Sequence, residues 1–131
     1  MDKVLSIYEL PSIKEKFSLK GKTAFVTGAA GGIGRSSAAA MAELGANVVI
    51  MDIPAKEKAL QECADEISRR FGVKTLAITG NVADEDSIGE MYDKIEETFG
   101  TVDIVHSNAG INVLDDNIGI STSSWKKMLE V

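Results

Sequence analysis

Residues 27–34 read Thr-Gly-Ala-Ala-Gly-Gly-Ile-Gly and constrain the fold more than any other stretch. Before them, residues 23–26 are short, apolar and partly β-branched, the pattern of a buried strand. After them, residues 35–44 are rich in Ala and include Met41 and Leu44, the pattern of a helix. The glycines therefore stand where a strand turns into a helix, the context a phosphate-binding turn requires. Gly28 is free to take a backbone angle closed to other residues. Gly32 lets the main chain approach a pyrophosphate, whose charge would face the N–H groups at the helix start. Gly34 lets the helix lie tight on the strand. Taken alone, the stretch also fits a tight turn with spare glycine. The next expected strand, residues 47–51, runs into Asp52, 20 positions after Gly32. An acid at that distance accepts hydrogen bonds from the adenosine ribose in a dinucleotide fold. Turn and acid together favour a dinucleotide site over a bare turn, and over a solvated charge at the strand end.

The 131 residues suffice for one domain with one core, and 44% hydrophobic with 26% charged residues suits a globular chain. No apolar run approaches the length of a membrane span, and residues 1–16 lack the apolar centre of a secretion signal. A net charge of −6 and a pI near 4.8 argue against nucleic acid or an anionic membrane surface as partner. Cys63 is the single cysteine, so no disulfide forms within the chain. Its place on the apolar face of an expected helix favours a buried, inert thiol. A cytoplasmic protein fits these features.

Residues 1–16 form an N-terminal arm, with short helical pieces allowed on either side of Pro11. The remainder, residues 17–131, alternates strand and helix. The first helix spans residues 32–44 and stops at Gly45. The second, residues 55–71, sets Leu60, Cys63, Ala64, Ile67 and Phe71 on one face, with Gly72 after it. A strand over residues 74–79 follows. A helix over residues 85–99 has Asp84 as N-cap, an apolar face of Ile88, Met91, Tyr92, Ile95 and Phe99, and Gly100 as its stop. The fourth strand spans residues 103–106. A last helix starts among residues 121–124 and carries Trp125, Met128 and Leu129. Such alternation predicts an α/β fold of Rossmann type, a doubly wound parallel sheet with helices on both faces.

The spacing Thr-Gly-x-x-x-Gly-Ile-Gly resembles the short-chain dehydrogenase/reductase family. Two further stretches carry the same resemblance. Phe17-Ser18-Leu19-Lys20-Gly21-Lys22 is similar to its lead-in to the first strand, and Asn108-Ala109-Gly110 to its motif after the fourth. The resemblance covers residues 17–131. It implies strand order 3-2-1-4 within this chain and an NAD(P)-dependent oxidoreductase that interconverts a secondary alcohol and a ketone, a sugar or polyol among them. It also implies a homo-oligomer, dimer or tetramer, when full length. The implied cofactor-binding residues are Gly28, Ala30, Gly31, Gly32, Ile33, Gly34, Asp52, Ile53, Asn81, Val82, Asn108, Ala109 and Gly110.

Asp52 and the uncharged Gly31 favour NAD over NADP, because a carboxylate accepts from a ribose 2′-hydroxyl and repels a 2′-phosphate. Arg35 lies past the turn, toward solvent. Asn81 stands where the family usually has Asp on adenine; its amide oxygen still accepts one hydrogen bond, and a turn asparagine is the other reading. The Asn108 amide suits unpaired backbone groups between strands, and Ser107 replaces an Asn of the common motif. His106, the single histidine, falls inside the fourth strand, which favours a hydrogen-bonded core residue over an acid or base. Asp115 and Asp116 lie in a loop that borders the substrate in the resembled family. They read as solvated charge, since no third ligand for a metal is evident.

The resembled chemistry uses a Tyr-x-x-x-Lys pair, an upstream Ser and an Asn. Ser12 follows Tyr8 by four positions and Glu96 follows Tyr92, so neither tyrosine forms the pair. The catalytic Asn, Ser, Tyr and Lys are therefore expected beyond Val131, together with the second half of the sheet. The chain reads as the cofactor-binding half of such an enzyme, inactive by itself and prone to aggregate through its open fourth strand. A non-catalytic dinucleotide-binding module is the alternative. The substrate pocket is not legible here.

Overall fold

The computed structural model describes residues 12–113 and 119–131. Four strands form one parallel sheet: β1 Thr23–Thr27, β2 Asn47–Asp52, β3 Thr75–Thr79 and β4 Ile104–His106. Five helices accompany them: α1 Ile13–Lys16, α2 Gly32–Glu43, α3 Glu57–Phe71, α4 Glu85–Phe99 and α5 Thr122–Leu129. The sheet order is β3-β2-β1-β4, as expected. Register sets Phe25 beside Val49 on one side and beside Val105 on the other.

Side chains alternate between the two faces of a strand, so β1 and β2 feed two cores. On one face Ala24, Val26, Val48 and Ile50 meet Ala38 and Ala42 of α2 and Leu60, Cys63, Ala64 and Ile67 of α3. On the other, Phe25, Val49, Met51 and Ile78 meet Met91 and Ile95 of α4. Burial on both faces explains why these strands are unbroken apolar runs rather than alternating ones. Each Val, Leu, Ile, Phe or Met side chain among them contributes about 1.5–3 kcal/mol when removed from water. Tyr92 remains partly exposed and meets Phe25 edge-on, ring centroids 5.7 Å apart.

The expected boundaries shift by a residue or two. β1 continues through Thr27, and β3 and β4 start at Thr75 and Ile104. The expected second helix splits: Pro54–Lys56 is a 3-10 turn, and α3 proper begins at Glu57. Proline has no N–H to donate and opens the tighter turn without loss. Gly72 and Gly100 follow α3 and α4 in left-handed backbone conformations. Beyond Pro11 the arm forms α1; the other expected piece, Tyr8 with it, lies outside the described residues. β4 is an edge strand, with Val105 51% exposed. On α5, Trp125 and Leu129 are 54% and 70% exposed, so the expected apolar stripe faces outward.

Candidate functional site

The turn between β1 and α2 is held from both sides. Gly28 has φ +65°, and a Cβ there would stand 2.9 Å from the Ala109 Cα. A Cβ on Gly34 would stand 2.4 Å from the Gly28 carbonyl oxygen and 2.6 Å from Asn108 Nδ2. Glycine is thus required at both places by close approach; at Gly34 the neighbours are the turn after β1 and Asn108, rather than the strand itself as the sequence suggested. Gly31, by contrast, is fully extended and open.

On the β4 side, Asn108 Nδ2 donates to the Thr27 carbonyl (2.9 Å) and to the Gly28 carbonyl (3.2 Å). The Asn108 and Ala109 N–H groups both donate to Thr27 Oγ1 at 3.0 Å. The asparagine therefore satisfies backbone groups between strands, as its sequence position implied. The buried hydroxyl of Thr27 is a second hub that the sequence reading left without a role. Its signal was available: a hydroxyl residue at a strand end, directly before a turn that exposes main-chain groups.

On the β2 side, the Ala29 N–H donates to the Met51 carbonyl at 2.9 Å. Asp52 Oδ2 accepts from the Ala30 N–H at 2.9 Å, and Oδ1 from the Ile53 N–H at 2.9 Å. Asp52 forms no ion pair among the described residues. Arg35, in the first turn of α2, pairs with Glu66 of α3; half exposed, it still faces solvent, but as a partner rather than a free charge.

The third wall is the loop after β3. Ser87 Oγ of α4 accepts from the Asn81 N–H at 2.9 Å, and Asn81 Oδ1 accepts from the Ala83 N–H at 3.0 Å. The turn reading of Asn81 is thus seen: its amide oxygen is already engaged locally, with one lone pair left. Ser87 is another positioning side chain the sequence reading missed. A Cβ on Gly80 would stand 2.8 Å from Met91 Sδ, so the loop lies close against α4.

These walls enclose a crevice of about 490 Å³ at the carboxyl ends of the strands. Gly28, Gly32, Ile33, Asp52, Ile53, Asn81, Val82, Asn108, Ala109 and Gly110 line it, joined by Met51, Ile111 and Val131. Ala30, Gly31 and Gly34 of the expected set do not line it; Ala30 and Gly34 are engaged in holding the turn. α2 starts at this crevice with Gly31 as N-cap, no capping side chain and no acid in its first turn. Its leading N–H groups therefore keep their partial positive charge available.

His106 corrects an expectation. It lies in β4 beside Val26, but Nδ1 is buried without a hydrogen-bond partner among the described residues. An edge strand pairs on one side only, which leaves its side chains fewer neighbours. Cys63 is buried as expected, and burial pushes its thiol up against the opposing pull of Arg35. Asp115 and Asp116 lie outside the described residues. Among the described residues no group of three or more His, Cys, Asp or Glu could hold a metal ion, and no helix is long and apolar enough to cross a membrane.

The family model described as short chain dehydrogenase matches residues 22–131. Sorbose reductase of Candida albicans is 39% identical over 127 residues, which cover 93% of this chain and 43% of that protein. Among solved structures, a short-chain type dehydrogenase/reductase from Mycobacterium marinum superposes with a TM-score of 0.84 at 34% identity, covering 92% of this chain and 47% of that one. L-sorbose reductase from Gluconobacter frateurii, complexed with NADPH and L-sorbose, gives a TM-score of 0.79 at 27% identity, covering 88% and 43%. The chain spans less than half the length of these relatives.

Proposed function

This chain belongs to the short-chain dehydrogenase family, and from that premise we propose that it holds the adenosine and pyrophosphate side of a nicotinamide cofactor for an alcohol–ketone oxidoreductase. The cofactor, when bound, supplies or accepts a hydride. The observation that carries the reading is the crevice itself: an uncapped helix start, a glycine turn and a carboxylate converge on one cavity. The N–H groups opening α2 hold the pyrophosphate. Asp52 accepts from the adenosine ribose, while Ile53 and Val82 offer apolar contact to the adenine. Asn81 has one oxygen lone pair for that base. Asn108 to Gly110 keep the opposite wall narrow, so that backbone lies beside the cofactor. The proton transfer belongs to residues other than these: Tyr92 packs on Phe25 and has no Lys four positions on.

The same residues favour NAD over NADP. Asp52 is a carboxylate without a cationic partner among the described residues, Gly31 is uncharged, and Arg35 is engaged by Glu66. A 2′-phosphate would meet uncompensated negative charge. The Gluconobacter relative was crystallised with NADPH, so the preference is proposed for this chain alone. A homo-oligomer, a cytoplasmic location and a sugar or polyol substrate belong to the same reading, supported by the resemblance and by the two sorbose reductases among the relatives.

Fluorescence titration of the whole protein with NADH and NADPH tests it. Tighter binding of NADH is expected; equal affinities refute the preference. Gly32→Val should abolish binding in a folded protein, because Gly32 has φ +58° and its Cβ position opens where the pyrophosphate must approach. Unchanged titration by that variant would place the site elsewhere. Binding without turnover of any secondary alcohol would favour a non-catalytic module.

A further inference from the structure

Asp52 sits where a ribose acceptor is expected, yet both of its oxygens already hold main chain. We propose that Asp52 is a positioning residue for the glycine turn, so that one carboxylate both faces the ribose and fixes the pyrophosphate cradle. The proposal rests on the dinucleotide reading above.

The turn leaves β1 at Thr27 and reaches α2 at Gly32. Its first part is pinned to the ends of both neighbouring strands. Asn108 holds the Thr27 and Gly28 carbonyls from β4. From β2, the Met51 carbonyl accepts from Ala29 and Asp52 Oδ2 accepts from Ala30. Beyond Ala30 the crest is bonded by α2 itself, the Arg35 N–H donating to the Gly31 carbonyl and Ser36 Oγ to the Gly32 carbonyl, and a Cβ on either glycine would meet nothing within 4 Å. The Asp52–Ala30 bond is therefore the last tether before the N–H groups that open α2. It spans 22 positions of sequence, so no local turn chemistry replaces it.

The second oxygen accepts from the Ile53 N–H, which fixes the rotation of the carboxylate. Each oxygen keeps one further lone pair for an outside donor. The ribose 2′-hydroxyl would thus be read by the same carboxylate that holds the turn. A hydrogen bond to a charged acceptor is stronger than a neutral one, so an amide or hydroxyl at this position would hold the turn less firmly. It follows that removing the acid does more than relax choice between cofactors. It weakens every dinucleotide, whatever its 2′ group.

A cofactor lacking the 2′-hydroxyl separates the two roles. The whole protein, Asp52→Ala and Asp52→Asn are titrated with NADH and with the analogue 2′-deoxy in the adenosine ribose. Each folded protein, free of cofactor, is also followed by residue-resolved amide exchange at Ala30. Asp52→Ala is expected to lose about tenfold or more in affinity for the 2′-deoxy analogue, the worth of one charge-assisted hydrogen bond. The Ala30 amide is expected to exchange faster while that of Val49 in the core stays protected. Asp52→Asn, which keeps one acceptor oxygen, should recover part of both effects. Unchanged affinity for the 2′-deoxy analogue in folded Asp52→Ala overturns the proposal, even if Ala30 exchanges faster. Unchanged Ala30 exchange overturns it as well. Failure of the dinucleotide reading looks different: the unaltered protein then binds neither NADH nor the analogue.

Discussion

Helices α4 and α2 begin at the same edge of the sheet and open their first turns in opposite ways. α4 closes on itself. Asp84 accepts from the Asp86 N–H at 3.1 Å, and Glu85 and Asp86 place two acids in the first turn. α5 does likewise through Ser121, which accepts from the Ser124 N–H at 3.1 Å. α2 has none of this: its N-cap is Gly31, it carries no capping bond, and its first turn holds no acid. A glycine N-cap without a capping side chain costs a helix roughly a few tenths of a kcal/mol, and an acid missing from the first turn about 0.3–1 kcal/mol more. The chain forgoes that stabilisation at α2, whose start faces the large crevice, and takes it at α4 and α5, whose starts do not line it. α3 also lacks a capping side chain but carries Glu57 in its first turn, whereas α2 has neither cap nor acid. Under the dinucleotide proposal, the difference separates helix starts closed by their own side chains from one left open to an anion.

The sharpest way to break the comparison is at the glycines. Gly34→Ala should destabilise the protein by about 3 kcal/mol or more, because its Cβ would meet the backbone of the preceding turn. Gly89, in the middle of α4, has open space around its Cβ position. Gly89→Ala should instead stabilise by about 0.5–1 kcal/mol. Denaturant unfolding of the two variants reads both signs, and equal effects would mean that α2 is not packed as described.

Next in size is a change that pits stability against binding. Gly31 is extended, a conformation open to any residue, and nothing crowds it. Gly31→Asp should cap α2 and stabilise the fold by about 0.5–1 kcal/mol. The same carboxylate should lower NADH affinity by about tenfold or more, since it occupies the place of the anion. Thermal unfolding and cofactor titration must move in opposite directions. The mirror experiment is Asp84→Ala, expected to cost about 1 kcal/mol with no change in cofactor affinity. A loss of affinity there would mean that both helix starts serve the ligand.

The smallest effect concerns the far end of the sheet. Asp103 accepts from the Thr23 N–H at 2.8 Å and from Lys22 Nζ at 3.0 Å, joining the starts of β4 and β1. The Thr23 backbone bond first, and Lys22 second, hold its carboxyl below the usual carboxylate range. A group with a depressed folded pKa contributes stability above its unfolded value, about 3.9, and loses it as pH falls through the folded value. Acid unfolding of Asp103→Asn should therefore depend less steeply on pH below about 4 than that of the unaltered protein. At neutral pH the variant should bind cofactor as before, because this pair lies away from the crevice.

The sequence alone determined the order of the elements along the chain and pointed to a candidate site. The strand order itself came from the resemblance. Buried strands, amphipathic helices, caps and glycine stops are written in short-range patterns, and each spans only a few residues. The glycine stretch and Asp52 marked the site for the same reason. The tertiary structure decided which polar groups meet. Asp52 and Ala30 are 22 positions apart, and Asn108 and Thr27 are 81 apart, as are Lys22 and Asp103. No periodicity records such pairs, because they form only when strands distant in sequence are laid side by side. The same holds for the His106 nitrogen, unpartnered among the described residues: residue type states what a side chain is able to bond, and only neighbours brought by the fold determine whether it does.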